Sequence, residues 1–409
     1  MLAAPGNKQK KKMTDLPAIR IDERSVRRLK LGYPWIFRSE VINAKEASAL
    51  TAGTLVDFVR DKGDFVARGF FNPKPQLVGR VLAWRAEQKI GKDFIFHLIK
   101  NALDFRDKLY AQPFYRLVHA ESDGLPGLII DRYGAIIVCQ INTAGMEILY
   151  PHIEAALKTL VNPQVIILKN DTLAREQEGL EQVVRVTHGT APSAPLQILE
   201  NNTPFYVDVM EGQKTGWFFD QRENRAWVAS LAKSSTLLDV FCHTGGFGIT
   251  AIKNGAGNVT FMDSSASALQ MVKQNAVLNG LEGKCQMIEG KAFDAMEKLA
   301  AVGKKYNIVA VDPPAFIKSR KDMASGLKGY QKLARLAAPL IEKNGFLFFA
   351  SCSHHAGVNE LSDAVTEGLA KSGRSFQLVK VAGAAPDHPI HPLLPETGYL
   401  KALTFRFLD

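Results

Sequence analysis

Only four cysteines, Cys139, Cys242, Cys285 and Cys352, occur in the 409 residues. They are scattered and lack the short spacings of a metal-ligand set, which argues against a disulfide framework or a zinc site and fits a reducing cytoplasm. No apolar run is long enough to span a bilayer, and no short apolar stretch resembles a secretory leader, so no membrane partner is expected. G-x-G-x-x-G is missing, as is the G-K-S/T of a phosphate loop, which argues against a dinucleotide or a nucleoside triphosphate. Acidic residues are scarce at one end only: residues 1–90 hold 18 Lys and Arg against 9 Asp and Glu, so nearly all of the net +10 sits there.

What is present divides the chain. Residues 1–16, with Lys8, Lys10, Lys11 and Lys12, read as a disordered basic tail. Arg20–Arg38 interleaves Arg24, Arg27, Arg28, Lys30 and Arg38 with aromatics. Two readings stand, a solvated basic face and a surface that contacts nucleic-acid phosphates. Leu55–Arg60, Asp64–Phe71 and Leu77–Ala83 alternate as short strands, so residues 17–88 are expected to form a small all-β barrel. Residues 89–190 read as a small α+β domain in the order helix, strand, strand, helix, strand, strand. A Pro-rich, polar linker follows at 191–203.

From residue 204 to 409 strands and helices alternate, the mark of a parallel sheet covered by helices on both faces, an α/β fold. The apolar strand before Asp239 runs into Asp239–Gly248 (DVFCHTGGFG), where Thr244, Gly245 and Gly246 open a helix. Glycines there let backbone approach a ligand. The next strand ends in Asp263, whose carboxylate can accept both ribose hydroxyls of a nucleoside cofactor. A later strand ends in Asp312-Pro313-Pro314 at the same carboxyl edge.

With Glu211–Arg222 (EGQKTGWFFDQR) and Ser351-Cys352-Ser353, these segments resemble class I S-adenosylmethionine-dependent methyltransferases of large-subunit ribosomal RNA, most of all the type that makes 5-methylcytosine. The resemblance covers nearly the whole chain. It implies a PUA-like RNA-binding barrel, a small central domain and a Rossmann-like methyltransferase domain. It also implies S-adenosyl-L-methionine as cofactor, held by Gln221, Arg222, Asp239, Thr244, Gly245, Gly246, Asp263, Ala292 and Asp312. Gln221 and Arg222 would take the methionine carboxylate. Lys291 stands where the family often has an acid against adenine, leaving backbone near Ala292 for that contact. The expected partner is large-subunit ribosomal RNA, naked or in an early assembly intermediate, met by a cytoplasmic monomer or homodimer.

The same resemblance makes Cys352 the nucleophile that adds to carbon-6 of cytosine, with Asp312 stabilising the adduct. The thiolate needs a nearby cation, for which His354 and Lys318 are candidates. Cys242 is read as packing, and His355, His388 and His391 are given no role. Methylation of a guanine is the alternative, disfavoured because Ala315, not an aromatic, follows the proline pair. A non-catalytic RNA-binding protein with a decayed fold and a dehydrogenase are the readings from other classes.

Overall fold

The computed structural model describes residues 15–212 and 215–409. All but the last two residues of the expected tail lie outside this range, as do Gln213 and Lys214. The chain divides into two compact units. One is the chain up to His97 with Ile141–Ala156 and Thr172–Gln182, and the other is Leu98–Gln140, Leu157–Asp171 and Val183–Asp409.

The first unit opens with β1 (Ala18–Arg20), α1 (Glu23–Lys30), β2 (Trp35–Phe37), α2 (Ala44–Ala47), β3 (Thr54–Val59), β4 (Phe65–Phe71) and β5 (Leu77–Ala83). The strands pair in the order β1-β3-β4-β5-β2. The two edges meet just beyond β1 and β2, where Ile21 bridges Val41 and the Ile42 N–H donates to the Arg20 carbonyl at 2.8 Å. The sheet thereby closes around Val26, Leu29, Ile36, Phe58 and Val81. It is not all-β as expected, because half of the basic segment is helical. Asp22 caps α1 by accepting the Ser25 N–H at 2.7 Å, and Val26 and Leu29, three residues apart, turn inward while the basic residues face out.

After α3 (Lys92–Leu109) come β6 (Phe114–His119), β7 (Leu128–Tyr133), β8 (Ile136–Ile141), α4 (Ala144–Leu160), β9 (Val165–Asn170), α5 (Leu173–Glu178) and β10 (Val183–His188). Their strands form one sheet in the order β10-β9-β8-β7-β6. The stretch 89–190 is nevertheless shared between the units. Phe70 occupies the space over Gly145 at the start of α4, where a Cβ would stand 2.0 Å from its ring. Asn72 and Arg80 donate to the Glu178 carboxylate of α5 at 2.7 and 2.6 Å. These pieces pack on the barrel, while Tyr133, Val138 and Ile167 of the central sheet join the core of the second unit.

The expected linker is half strand. Leu196–Glu200 (β11) pairs with Thr203–Val207 (β12), and Glu200 is buried. Beyond it lie α6 (Arg222–Ser230), β13 (Leu237–Val240), α7 (Gly246–Lys253), β14 (Val259–Asp263), α8 (Ala266–Asn279), β15 (Cys285–Glu289), α9 (Ala292–Ala301), β16 (Tyr306–Val311), α10 (Met323–Ala337), β17 (Ile341–Ser351), α11 (Val358–Ala370), β18 (Phe376–Ala382) and β19 (Lys401–Phe407). The sheet runs β15-β14-β13-β16-β17-β19-β18, with the first five strands parallel and β19 antiparallel to both neighbours. Both faces are buried. Leu237, Phe261, Ile308 and Phe348 point to one side, and Leu238, Met262, Val309 and Phe349 to the other. That is why these strands read as near-continuous apolar runs. Strand order reverses between β13 and β16, and ligands of such sheets bind outside the carboxyl ends at that point.

Candidate active site at the carboxyl edge of the sheet

The loop after β13 is wound tightly. Phe241, His243 and Gly245 have φ of 61°, 50° and 85°, so three of five residues are left-handed and only one is glycine. Such strain persists only where surroundings over-determine it. Here the Cys242 N–H donates to the Met262 carbonyl at 3.1 Å and the His243 N–H to Asp263 Oδ2 at 3.0 Å. The other oxygen of Asp263 takes the Ser265 N–H at 2.9 Å. Asp263 therefore stands at the strand tip, partly exposed, with its carboxylate fixed by two backbone donors.

The glycines of the loop also make room within the fold. A Cβ on Gly246 would stand 2.6 Å from Nε of Arg225, and one on Gly248 2.2 Å from the Phe261 ring. These residues are small to admit their neighbours, with Gly245 alone also required by its positive φ. Thr244 is buried, and its carbonyl accepts from Asn275 at 3.0 Å. Cys242 is buried beside Asp239, which pushes its thiol far up, in keeping with a packing role.

Asp239 is fully buried under this loop and accepts the Gly248 N–H at 2.9 Å. Burial pushes its carboxyl up to about 7, reinforced by the nearby charges of Asp312 and Asp263 and opposed by the Gly248 hydrogen bond and Arg225. A carboxyl group thus already takes an N–H at the start of α7 that a phosphate would otherwise claim. On the far side of Asp263, the Gly290 N–H donates to the Asp263 carbonyl at 2.9 Å. That contact seats Ala292, the buried first residue of α9, beside the same edge, with Lys291 exposed before it.

The segment before α6 lies against this loop, with the Phe218 ring edge-on to His243 at 5.1 Å. Arg222, expected to hold a carboxylate, is otherwise engaged. It is buried over the Tyr110 ring at 4.0 Å, donates to the Phe114 carbonyl and pairs with Glu200. Gln221 accepts from Asn224 at 2.7 Å within its own helix turn. The guanidinium that faces the Gly loop is that of Arg225, which sequence reasoning missed. It lies over Trp217 at 4.2 Å and donates to Glu200 at 2.6 Å and to the Phe218 carbonyl at 2.9 Å. Its spacing of three from Arg222 on one helix was the available signal.

On the other side of the reversal point, Asp312 directly follows β16, with its N–H toward the Val240 carbonyl at 3.4 Å. Cys352 follows the neighbouring β17. The two serines around it are buried and hydroxyl-linked. Tyr330 of α10 accepts from Ser351 at 2.9 Å and lies 2.6 Å from Ser353. Ser353 Oγ accepts the Ile317 N–H at 3.2 Å, and Tyr330 Oη the Phe316 N–H at 3.3 Å. This buried cluster ties the turn carrying Cys352 to the chain that follows Asp312-Pro313-Pro314, and leaves Cys352 itself partly exposed. Tyr330 was also missed, for it lies far from both motifs in sequence.

Of the cations expected near Cys352, Lys318 is exposed, and His354 stacks on Tyr399 at 5.2 Å with Nδ1 at 3.2 Å from the Glu396 carbonyl. Tyr399 donates to Asp220, so the aromatic segment before α6 reaches from the Gly loop to the neighbourhood of Cys352. On the barrel, Arg28 pairs with Glu40 at 2.6 Å and lies over Tyr33, and Arg38 holds the Pro73–Pro75 carbonyls. Arg24, Arg27 and Lys30 remain on the exposed face of α1.

Comparison with known proteins follows this geometry. The family described as S-adenosylmethionine-dependent methyltransferase matches residues 186–406, and a PUA-like domain family matches 19–84. "Ribosomal RNA large subunit methyltransferase I" of Aeromonas salmonicida is 36% identical over 91% of this chain and 95% of its own. That of Shewanella frigidimarina is 34% identical over 93% and 96%. A protein of Streptococcus mutans described as a SAM-dependent methyltransferase superposes with TM-score 0.82 over 96% of this chain and all of its own, at 20% identity. A second solved methyltransferase, complexed with SAH, gives 0.83 at 19%, over the same shares of the two chains. Those two likenesses establish the fold. With relatives of this identity and coverage, the chain belongs to the large-subunit ribosomal RNA methyltransferase I family, S-adenosylmethionine-dependent enzymes with a PUA-like domain.

Proposed function

We propose that this enzyme methylates carbon-5 of a cytosine in large-subunit ribosomal RNA through a covalent adduct on Cys352. The observation that carries the reading is the setting of that cysteine. It is the partly exposed member of a turn whose two serines are buried and locked, on the strand next to the one that ends in Asp312. The relatives' names support ribosomal RNA as the substrate class. Asp263, the Thr244–Gly246 loop and the start of α9 would hold S-adenosylmethionine, which supplies an electrophilic methyl group.

The Cys352 thiolate adds to carbon-6, and the ring electrons pushed to carbon-5 take the methyl group. A base then removes the carbon-5 proton, the carbon-5–carbon-6 double bond re-forms, and the sulfur–carbon bond breaks to return the thiolate. Asp312, as the acid form, would donate to ring nitrogen 3 of the adduct. In this reading residues 17–88 dock the RNA in the cytoplasm, with Arg24, Arg27 and Lys30 as phosphate contacts, and residues 204–409 carry out the chemistry.

RNA carrying 5-fluorocytidine tests the reading, because it has no removable carbon-5 proton and elimination stalls. A denaturation-resistant protein–RNA adduct is expected with the wild type and not with Cys352→Ala. Normal turnover by Cys352→Ala would overturn the covalent mechanism in favour of guanine methylation.

A further inference from the structure

β19 is antiparallel to β17, so the residues that begin it arrive at the edge where the parallel strands end. Ser351 lies opposite Lys401 in that register. Lys401 opens β19 and is 4% exposed, an uncommon state for a lysine unless its charge is used or matched. Its ammonium donates to the Ser353 carbonyl at 2.7 Å and to the Tyr399 carbonyl at 3.0 Å. Those residues flank the position of Cys352, one as its chain neighbour and one as its electrostatic neighbour. An ammonium has three donors, of which the two carbonyls take two, and neither carbonyl neutralises its positive charge.

The groups that act on this lysine are few. Burial lowers its affinity for its proton, while Cys352 and, from α11, Glu360 favour the charged form. Among the groups near Cys352 are the Tyr399 hydroxyl, already donated to Asp220, and, stacked on the Tyr399 ring, His354. Burial and the Asp220 charge push the Tyr399 hydroxyl well above its ordinary range, so it stays neutral and adds no negative charge.

We infer that Lys401 is the cation that holds Cys352 as a thiolate, a positioning residue for the nucleophile in the reaction proposed above. It keeps its proton throughout. The thiolate enters and leaves the carbon-6 bond beside a fixed positive charge, and the proton lost from carbon-5 goes to a separate base.

The inference rests on Cys352 being the nucleophile, and the test separates the two. Full-length wild type, Lys401→Met and Lys401→Arg are alkylated with iodoacetamide across pH. The Cys352 peptide is followed by mass spectrometry apart from those of Cys139, Cys242 and Cys285. An opposite charge within about 4–6 Å shifts a pKa by about 1–3 units. The wild-type midpoint should therefore lie below the ordinary thiol value of about 8.5. It should rise by at least about 1 unit in Lys401→Met and be largely restored in Lys401→Arg, with kcat following and cofactor affinity unchanged.

A wild-type midpoint at or above about 8.5 overturns the pairing even if Lys401→Met fails to fold. An unchanged midpoint in a folded Lys401→Met overturns it too. A shifted midpoint without any 5-fluorocytidine adduct would support the ion pair and sink the nucleophile. An adduct with an unshifted midpoint would do the reverse.

Discussion

The two sides of the reversal point between β13 and β16 are built by different means. On the cofactor side the backbone does the positioning: left-handed residues at Phe241, His243 and Gly245, and an acid at each strand tip bound by main-chain donors. On the substrate side, side chains distant in sequence do it, with Tyr330 bridging two serines and Lys401 reaching across from an antiparallel strand. A site set by backbone is robust to its neighbours and depends on a few small or acidic residues. A site set by side-chain networks depends on residues that touch no ligand.

The sharpest test of that contrast is Tyr330→Phe. It removes the hydroxyl shared by Ser351, Ser353 and the Phe316 N–H, and a nucleophile displaced by about 1 Å can lose about 100-fold in rate. Turnover measured under single-turnover conditions should fall by roughly that factor. Cofactor affinity by calorimetry should stay the same, and a loss of both would mean that the two sides are not independent.

Asp263→Ala makes the converse break. Cofactor binding should weaken by about 1.5–3 kcal/mol, the range for hydrogen bonds to a charged group. Alkylation of Cys352 should be unaffected, and unchanged cofactor affinity would remove Asp263 from the site.

A smaller effect belongs to Asp239. With its carboxyl raised from 3.8 to about 7, the folded protein holds a proton between those values that the unfolded chain has released. Stability should therefore fall as pH rises through that window. Asp239→Asn, which keeps an acceptor for the Gly248 N–H, lacks this slope. The melting temperatures of variant and wild type without cofactor should diverge from pH 5 to pH 8, equivalent to about 1–2 kcal/mol once relaxation around the buried group is allowed for. Parallel curves would mean that Asp239 is ionised throughout.

The smallest change concerns the barrel. Because α5 and the start of α4 pack on it, removing the barrel would uncover Gly145 and Glu178, and point changes are the cleaner probe. Neutralising Arg24, Arg27 and Lys30 together should lower the salt dependence of RNA affinity by about 0.7–0.9 in log–log slope for each charge that meets a phosphate. No change in slope would make that helix face a solvated surface.

The contrast between the two sides also explains what could be read in the sequence. The parallel strands were legible because burial on both faces leaves apolar runs, and the loop after Asp239 was legible because its spacing is local. Helix α1 was hidden by its basic residues, since only Val26 and Leu29 turn inward with the small Ser25. β11 was hidden by the prolines before it. Arg222 looked like a ligand-binding residue and Arg225 did not, because sequence cannot show that Phe114 and Tyr110 enclose the first while the second faces Gly246. Lys401 left one sign, a charge at the head of a largely apolar strand, whose meaning depends on a pairing with residues fifty positions earlier.

That pairing also sets an order in time. β19 is made after β18 but lies between β18 and β17. A growing chain that has reached Ala382 carries β17 with one edge open and β18 with nothing to pair against in this sheet. Cys352 then already has its serines and Tyr330, all earlier in the chain, but no ammonium. In the proposed mechanism the thiol would thus be shaped before its charge partner arrives, and residues 401–407 would close the sheet and complete the ion pair in one event.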